Sequence, residues 1–123
     1  MLTKKIAVLF SGGGSNLEAI LQSLHGKVFG ETKIEVALTL TNKANAGGIA
    51  KAAKYGLKSV VIEHVNFASR EEFDAAVVAQ IKHANVDLTV LAGFMRILTP
   101  VFTREIRAIN LHPSLLPLFK GAH

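Results

Sequence analysis

Five short apolar blocks, at residues 5–10, 34–41, 59–63, 88–92 and 108–111, alternate with stretches of helical spacing, and that alternation leaves few folds open. The blocks are rich in Val, Ile and Leu with little polar alternation, as parallel strands covered on both faces are. Between the first two, Leu17, Ile20, Leu21 and Leu24 fall at i, i+3, i+4 and i+7. Ser15-Asn16-Leu17-Glu18 reads as a capping box before this helix and Gly26 as its stop. The spacing predicts a second helix over residues 45–55, ended by Gly56. A third begins at Ser69, with Glu72 three residues on, and buries Phe73, Ala76, Val77, Ile81 and Ala84. A short fourth opens with Thr99 as cap and Pro100 at its first position. The order β-α-β-α-β-α-β-α-β predicts an α/β fold: an open, mostly parallel, Rossmann-like sheet with right-handed crossovers. With 123 residues and no linker or repeat, residues 1–123 read as one domain.

In such sheets ligands bind beyond the carboxyl ends of the strands, where strand order reverses. The polar and glycine-rich segments fall there. A strand order of 3-2-1-4-5 would open the loop at residues 12–16 and His112 onto one cleft. Ser11-Gly12-Gly13-Gly14-Ser15-Asn16-Leu17 joins a strand to a helix. Consecutive glycines let backbone N–H groups approach a ligand, and a helix N-terminus favours an anion. Gly14, Ser15 and Asn16 are therefore candidates for a single phosphate, against the competing reading of a tight turn with no ligand. A dinucleotide fingerprint would need glycine at Leu17 and an acid where Thr41-Asn42 stands, and a nucleoside-triphosphate loop would need Gly-Lys-Ser/Thr.

At the other end, Asn110 and His112 are two apart and project to the same side of a strand. Pro113 follows and stops that strand. An amide with two N–H donors beside an imidazole suits a carbonyl oxygen that gains charge while an amine loses a proton. A packed or solvated imidazole is the alternative for His112. Gly93-Phe94-Met95-Arg96-Ile97-Leu98 is either core packing or a seat for a flat heterocycle. Arg70, in the first turn of its helix, is a solvated residue unless a ligand brings a carboxylate.

Composition narrows the classes further. The absence of cysteine rules out disulfides, a thiol nucleophile and a Cys-based zinc site, and fits a reducing compartment. No His-x-x-x-His or carboxylate cluster suggests a metal. The net charge of +5 is dispersed, with no basic run of five, so no nucleic-acid tract is indicated. The first apolar run is too short for a signal-peptide core or a membrane span, so a cytoplasmic protein is expected.

With these segments in order, the chain resembles the glycinamide ribonucleotide transformylases of purine synthesis. The residues that carry the resemblance are 11–17, Thr41-Asn42-Lys43-Ala44 with Ala46-Gly47, Ser69-Arg70-Glu71, residues 91–100, and Asn110-Leu111-His112-Pro113-Ser114-Leu115-Leu116-Pro117. The resemblance implies formyl transfer from 10-formyltetrahydrofolate, as cosubstrate and without a metal, to the amine of glycinamide ribonucleotide. It implies that Gly14, Ser15 and Asn16 hold the ribonucleotide phosphate and that Arg70 meets the folate glutamate tail. Met95, Arg96, Ile97 and Leu98 would line the pterin pocket, Asn110 would donate to the developing oxyanion, and His112 would polarise the formyl group and move protons. Partners are then the two small molecules, with no nucleic acid and no membrane; a homo-oligomer is left open. Members of this family run beyond the Pro-Ser-Leu-Leu-Pro segment and there supply an aspartate that supports the histidine. No Asp follows Asp87 here, so the expectation is a nucleotide-binding half, truncated at its C-terminus and poorly active by itself. Three alternatives stay in view: the related enzymes that formylate initiator methionyl-tRNA or hydrolyse formyltetrahydrofolate, a binding-only folate or ribonucleotide module, and, disfavoured by Leu17, an NAD-dependent oxidoreductase.

Overall fold

The computed structural model describes residues 2–96 and 98–111 and is built around a central strand, β1 (Leu2–Phe10). β1 pairs in parallel with β3 (Thr32–Thr41) on one side and β5 (Leu88–Leu91) on the other. β6 (Ala108–Asn110) lies parallel beyond β5, and β4 (Val60–Val61) pairs with the end of β3. Leaving aside the extra strand described next, the order is β4-β3-β1-β5-β6, which is the 3-2-1-4-5 arrangement on which a shared cleft was conditional. The addition is β2 (Lys27–Phe29), an antiparallel strand on the start of β3 through a turn at Gly30. It escaped the sequence reading because it is three exposed residues with no buried face.

Period-two alternation sends the side chains of β1 to opposite layers. Ile6, Val8 and Phe10 pack with Leu17, Ile20 and Leu21 of α1 (Ser15–Leu24) and Ala52 of α2 (Gly48–Ala53). Ala7 and Leu9 pack with Phe73, Val77 and Ile81 of α3 (Arg70–Ala84) and Phe102 of α4 (Pro100–Glu105). Fully buried side chains such as Phe10, Leu17, Phe73 and Phe102 each contribute about 1.5–3 kcal/mol. The α1 layer leaves a wholly apolar groove of about 380 Å³, bordered by Leu24, Phe29, Ile109 and Leu111. Among the described residues no helix is long and apolar enough to cross a membrane.

Two helix starts differ from expectation. Ser15 does not cap α1: the cap position is Gly14, in the left-handed region at φ 78°, and no side-chain cap bond forms. The glycine loop turns so tightly that the residue before Ser15 needs that conformation, which moves the serine into the helix. α2 spans only Gly48–Ala53, shorter than residues 45–55, because Gly47 and Gly48 lie against the glycine loop and Gly56 (φ 77°) closes the other end. The later caps form as read. Ser69 Oγ accepts from the Glu72 N–H at 3.1 Å, and Thr99 Oγ1 from the Val101 N–H at 3.3 Å. In α3, Ala76 and Ala84 are only half-buried, whereas Val78 and Asp74 are buried.

Candidate functional site

Helices that cross between parallel strands run back along the sheet, so the start of α1 and the start of α3 both lie at its carboxyl edge. There the loop after β1 packs directly on the start of α2. The Gly48 N–H donates to Gly12 C=O at 3.2 Å. A Cβ on Gly14 would stand 2.5 Å from the Gly48 Cα, and one on Gly48 would stand 2.6 Å from the Phe10 ring. A Cβ on Gly47 would come within 3.3 Å of the Gly13 Cα. Packing thus accounts for Gly14, Gly47 and Gly48. It does not account for Gly12 and Gly13, whose Cβ positions meet nothing within 4 Å. Those two glycines are exposed and face open space in which a ligand can reach the backbone. The first bond of α1, Glu18 N–H to Gly14 C=O at 2.7 Å, leaves the preceding N–H groups of the first turn available to an anion. Ser15 is exposed and Asn16 half-buried on that turn.

Ser11, buried at 1% exposure, joins this glycine rim to a second one. Its hydroxyl donates to Asn42 Oδ1 at 2.6 Å and accepts from the Met95 N–H at 2.7 Å. Asn42 stands where a dinucleotide site would carry an acid, and its side chain is committed to Ser11 instead of facing a ribose. The second rim runs from Gly93 to Thr99 after β5. Gly93 is left-handed at φ 74°, and its Cβ position lies 4.0 Å from Asn16 Nδ2, so the rims approach each other closely. Phe94 and Leu98 pack against the α3–α4 core, while Met95 stands 74% exposed. The Arg96 guanidinium lies 5.4 Å from the Phe73 ring centroid, a cation–π contact. Ile97 lies outside the described residues.

Asn110 pairs in register with Leu91, and Leu91 with Leu9. Two strand spacings place it roughly 10 Å across the edge from the end of β1. Asn110 is exposed. His112 lies outside the described residues. Arg70 is exposed at the first position of α3, one turn before Phe73 and hence on the side where Arg96 stacks. The structure thus gathers the glycine rim and the described part of the apolar rim, sets Asn110 on the same edge, and puts Arg70 at the periphery. Residues not singled out for a role include Gly48, Ser11 as the bridge, and Asp74. Asp74 occupies the buried stripe 74, 77, 78, 81 of α3, where an acid at i, i+3, i+4, i+7 spacing is a signal in itself. Among the described residues no group of three or more His, Asp or Glu comes together that could hold a metal.

An open, mostly parallel sheet carrying two loops that approach each other at its carboxyl edge defines a Rossmann-like α/β protein. The chain belongs to the formyl transferase family, whose model matches residues 4–123. It is 47% identical over 98% of its length to a trifunctional purine biosynthetic protein adenosine-3 of Drosophila pseudoobscura, of which it covers 9%. It is 41% identical over 96% of its length to a phosphoribosylglycinamide formyltransferase of Haemophilus influenzae, covering 55% of that protein. The crystal structure of phosphoribosylglycinamide formyltransferase from Campylobacter jejuni is similar with a TM-score of 0.89 at 59% identity, covering 96% of this chain and 62% of that one. The chain therefore spans a small part of the trifunctional relative and somewhat over half of the single-function ones.

Proposed function

We propose that this chain serves formyl transfer from 10-formyltetrahydrofolate to the amine of glycinamide ribonucleotide, in purine biosynthesis. The observation that carries this reading is the bridge through Ser11, which ties a glycine rim suited to a phosphate to an apolar rim suited to a flat ring. The fit on the glycine side is the open space over Gly12 and Gly13. On the other side it is the exposed Met95 beside half-buried Phe94 and Leu98.

In this reading Gly14, Ser15 and Asn16 hold the ribonucleotide phosphate through backbone N–H groups and side-chain donors. Met95, Arg96, Ile97 and Leu98 cover the pterin, and Arg70 pairs with the carboxylate tail. The bound folate supplies the formyl group. Asn110 directs its N–H donors at the formyl oxygen, where charge develops as the amine attacks. His112 takes up the proton that the amine loses. No side chain need bond covalently to the formyl carbon; positioning two reactants and stabilising charge accounts for the rate. A cytoplasmic location is part of the same proposal, in keeping with a cysteine-free chain.

Calorimetric titration with each ligand, next to a formyl-transfer assay, tests this. Both ligands bind, and the double change Ser15→Ala, Asn16→Ala removes ribonucleotide binding while folate binding stays. In a polypeptide that does transfer, Asn110→Ala lowers turnover by roughly 10²–10³, as loss of one oxyanion donor does. Failure to bind either ligand overturns the proposal.

A further inference from the structure

Among the described residues Asp74 is the only buried residue of an ionisable type, with 0% exposure. A carboxylate withdrawn from water is costly unless it is hydrogen-bonded, and its place in the α3 stripe could be filled by an apolar side chain. Its Oδ2 accepts two bonds, from the Thr99 N–H at 2.6 Å and from the Thr99 hydroxyl at 2.6 Å. Its Oδ1 has no partner among the described residues, and neither has the buried Nε of Arg96. Thr99 ends the apolar rim and caps α4. The residue before Asp74 is Phe73, on which Arg96 stacks. Two consecutive α3 residues therefore hold the rim at two points, Arg96 and Thr99.

We propose that Asp74 is a positioning residue for the formyl-folate side of the site, fixing the apolar rim to α3 through Thr99. This rests on the reading of Met95, Arg96 and Leu98 as part of the pterin seat. It adds that the shape of this seat is set from beneath, by a carboxylate that never meets the ligand. A core acid with a merely structural role would weaken the molecule evenly. A positioning acid acts on one rim and leaves the other alone.

The test compares Asp74→Ala, Asp74→Asn and Thr99→Val with the unaltered full chain, by amide hydrogen exchange and by titration with 10-formyltetrahydrofolate and with glycinamide ribonucleotide. In Asp74→Ala, exchange at residues 93–96, 98 and 99 rises while that at residues 12–16 is unchanged. Folate affinity falls about tenfold, the scale of losing hydrogen bonds to a charged acceptor, and ribonucleotide affinity holds. Asp74→Asn, which keeps an acceptor oxygen for Thr99, recovers most of the loss. Unchanged exchange and folate affinity in a folded Asp74→Ala protein, or equal losses at both rims, overturn the proposal. If Asp74→Ala does not fold, Thr99→Val must show the same one-sided pattern, and its failure to do so is equally decisive against the proposal. An unaltered chain that binds no folate sinks the folate reading instead, and the exchange data still decide whether Asp74 holds the rim.

Discussion

The glycine rim is held chiefly by close backbone approach: Gly14 has no room for a methyl group against the Gly48 backbone, and Gly48 has none against the Phe10 ring. The apolar rim is held by side chains: Ser11 on Met95, Asp74 on Thr99, Phe73 under Arg96. The first device fixes a path of the chain and leaves N–H groups bare, which is what a phosphate needs. The second leaves Met95 free to face outward beside half-buried Phe94 and Leu98, which suits a flat apolar ring. The contrast sets a rim spelled in glycine against one whose described residues include Phe94, Met95 and Leu98.

Gly14→Ala should strike hardest. Its Cβ must enter a left-handed conformation and meet backbone at 2.5 Å, which together cost about 2–5 kcal/mol. Urea unfolding checks this, and a Gly14→Ala protein as stable as the unaltered one breaks the contrast. Ser11→Ala comes next. It strands Asn42 Oδ1 and the Met95 N–H, at about 1–3 kcal/mol, and it should loosen both rims in hydrogen exchange. Gly12→Ala sharpens the comparison by separating fold from ligand. With open space at its Cβ position, its stability should change by no more than about 0.5 kcal/mol, while ribonucleotide binding weakens in calorimetry.

The smallest effect lies away from both rims, where Lys82 of α3 donates a hydrogen bond to Glu105 of α4. That bond, with the charge of Lys82, holds the Glu105 carboxyl below its ordinary value of 4.5. A carboxyl lowered by folding adds stability above its unfolded pKa, and the contribution is lost as pH falls through the folded value. Lys82→Ala should therefore flatten the pH dependence of the melting temperature below about pH 4.5, with little change at pH 7. An unchanged acid limb would show that the pair adds nothing measurable, as many exposed pairs do not.

Most of the sheet was legible because the five apolar blocks are short, near-continuous runs and the stripe at Leu17, Ile20, Leu21 and Leu24 keeps a helical period. That regularity, with the rule of short right-handed crossovers, was enough to predict an open, mostly parallel sheet; the order of its strands stayed conditional until the pairing of β1 with β3 and β5 fixed it. β2 was hidden because an exposed three-residue edge strand has no buried face to leave a pattern. The start of α1 was misplaced by a serine that fits a capping box, since tertiary contact with Gly48 decides where that helix opens. The ends of the site were legible as motifs, but its supports were not. Gly48 and Asp74 act through contacts with residues 34 and 25 positions away, and no local spacing encodes such a pairing.

That the two rims serve one site is tested most directly by mapping backbone amide shifts while the chain is titrated first with glycinamide ribonucleotide and then with 10-formyltetrahydrofolate. The first ligand is predicted to move residues 12–16 and 47–48, the second residues 93–96 and Arg70, and both Asn110. Shifts from either ligand confined to the apolar groove beside Leu24 and Phe29, or ribonucleotide shifts that leave residues 12–16 untouched, would contradict it.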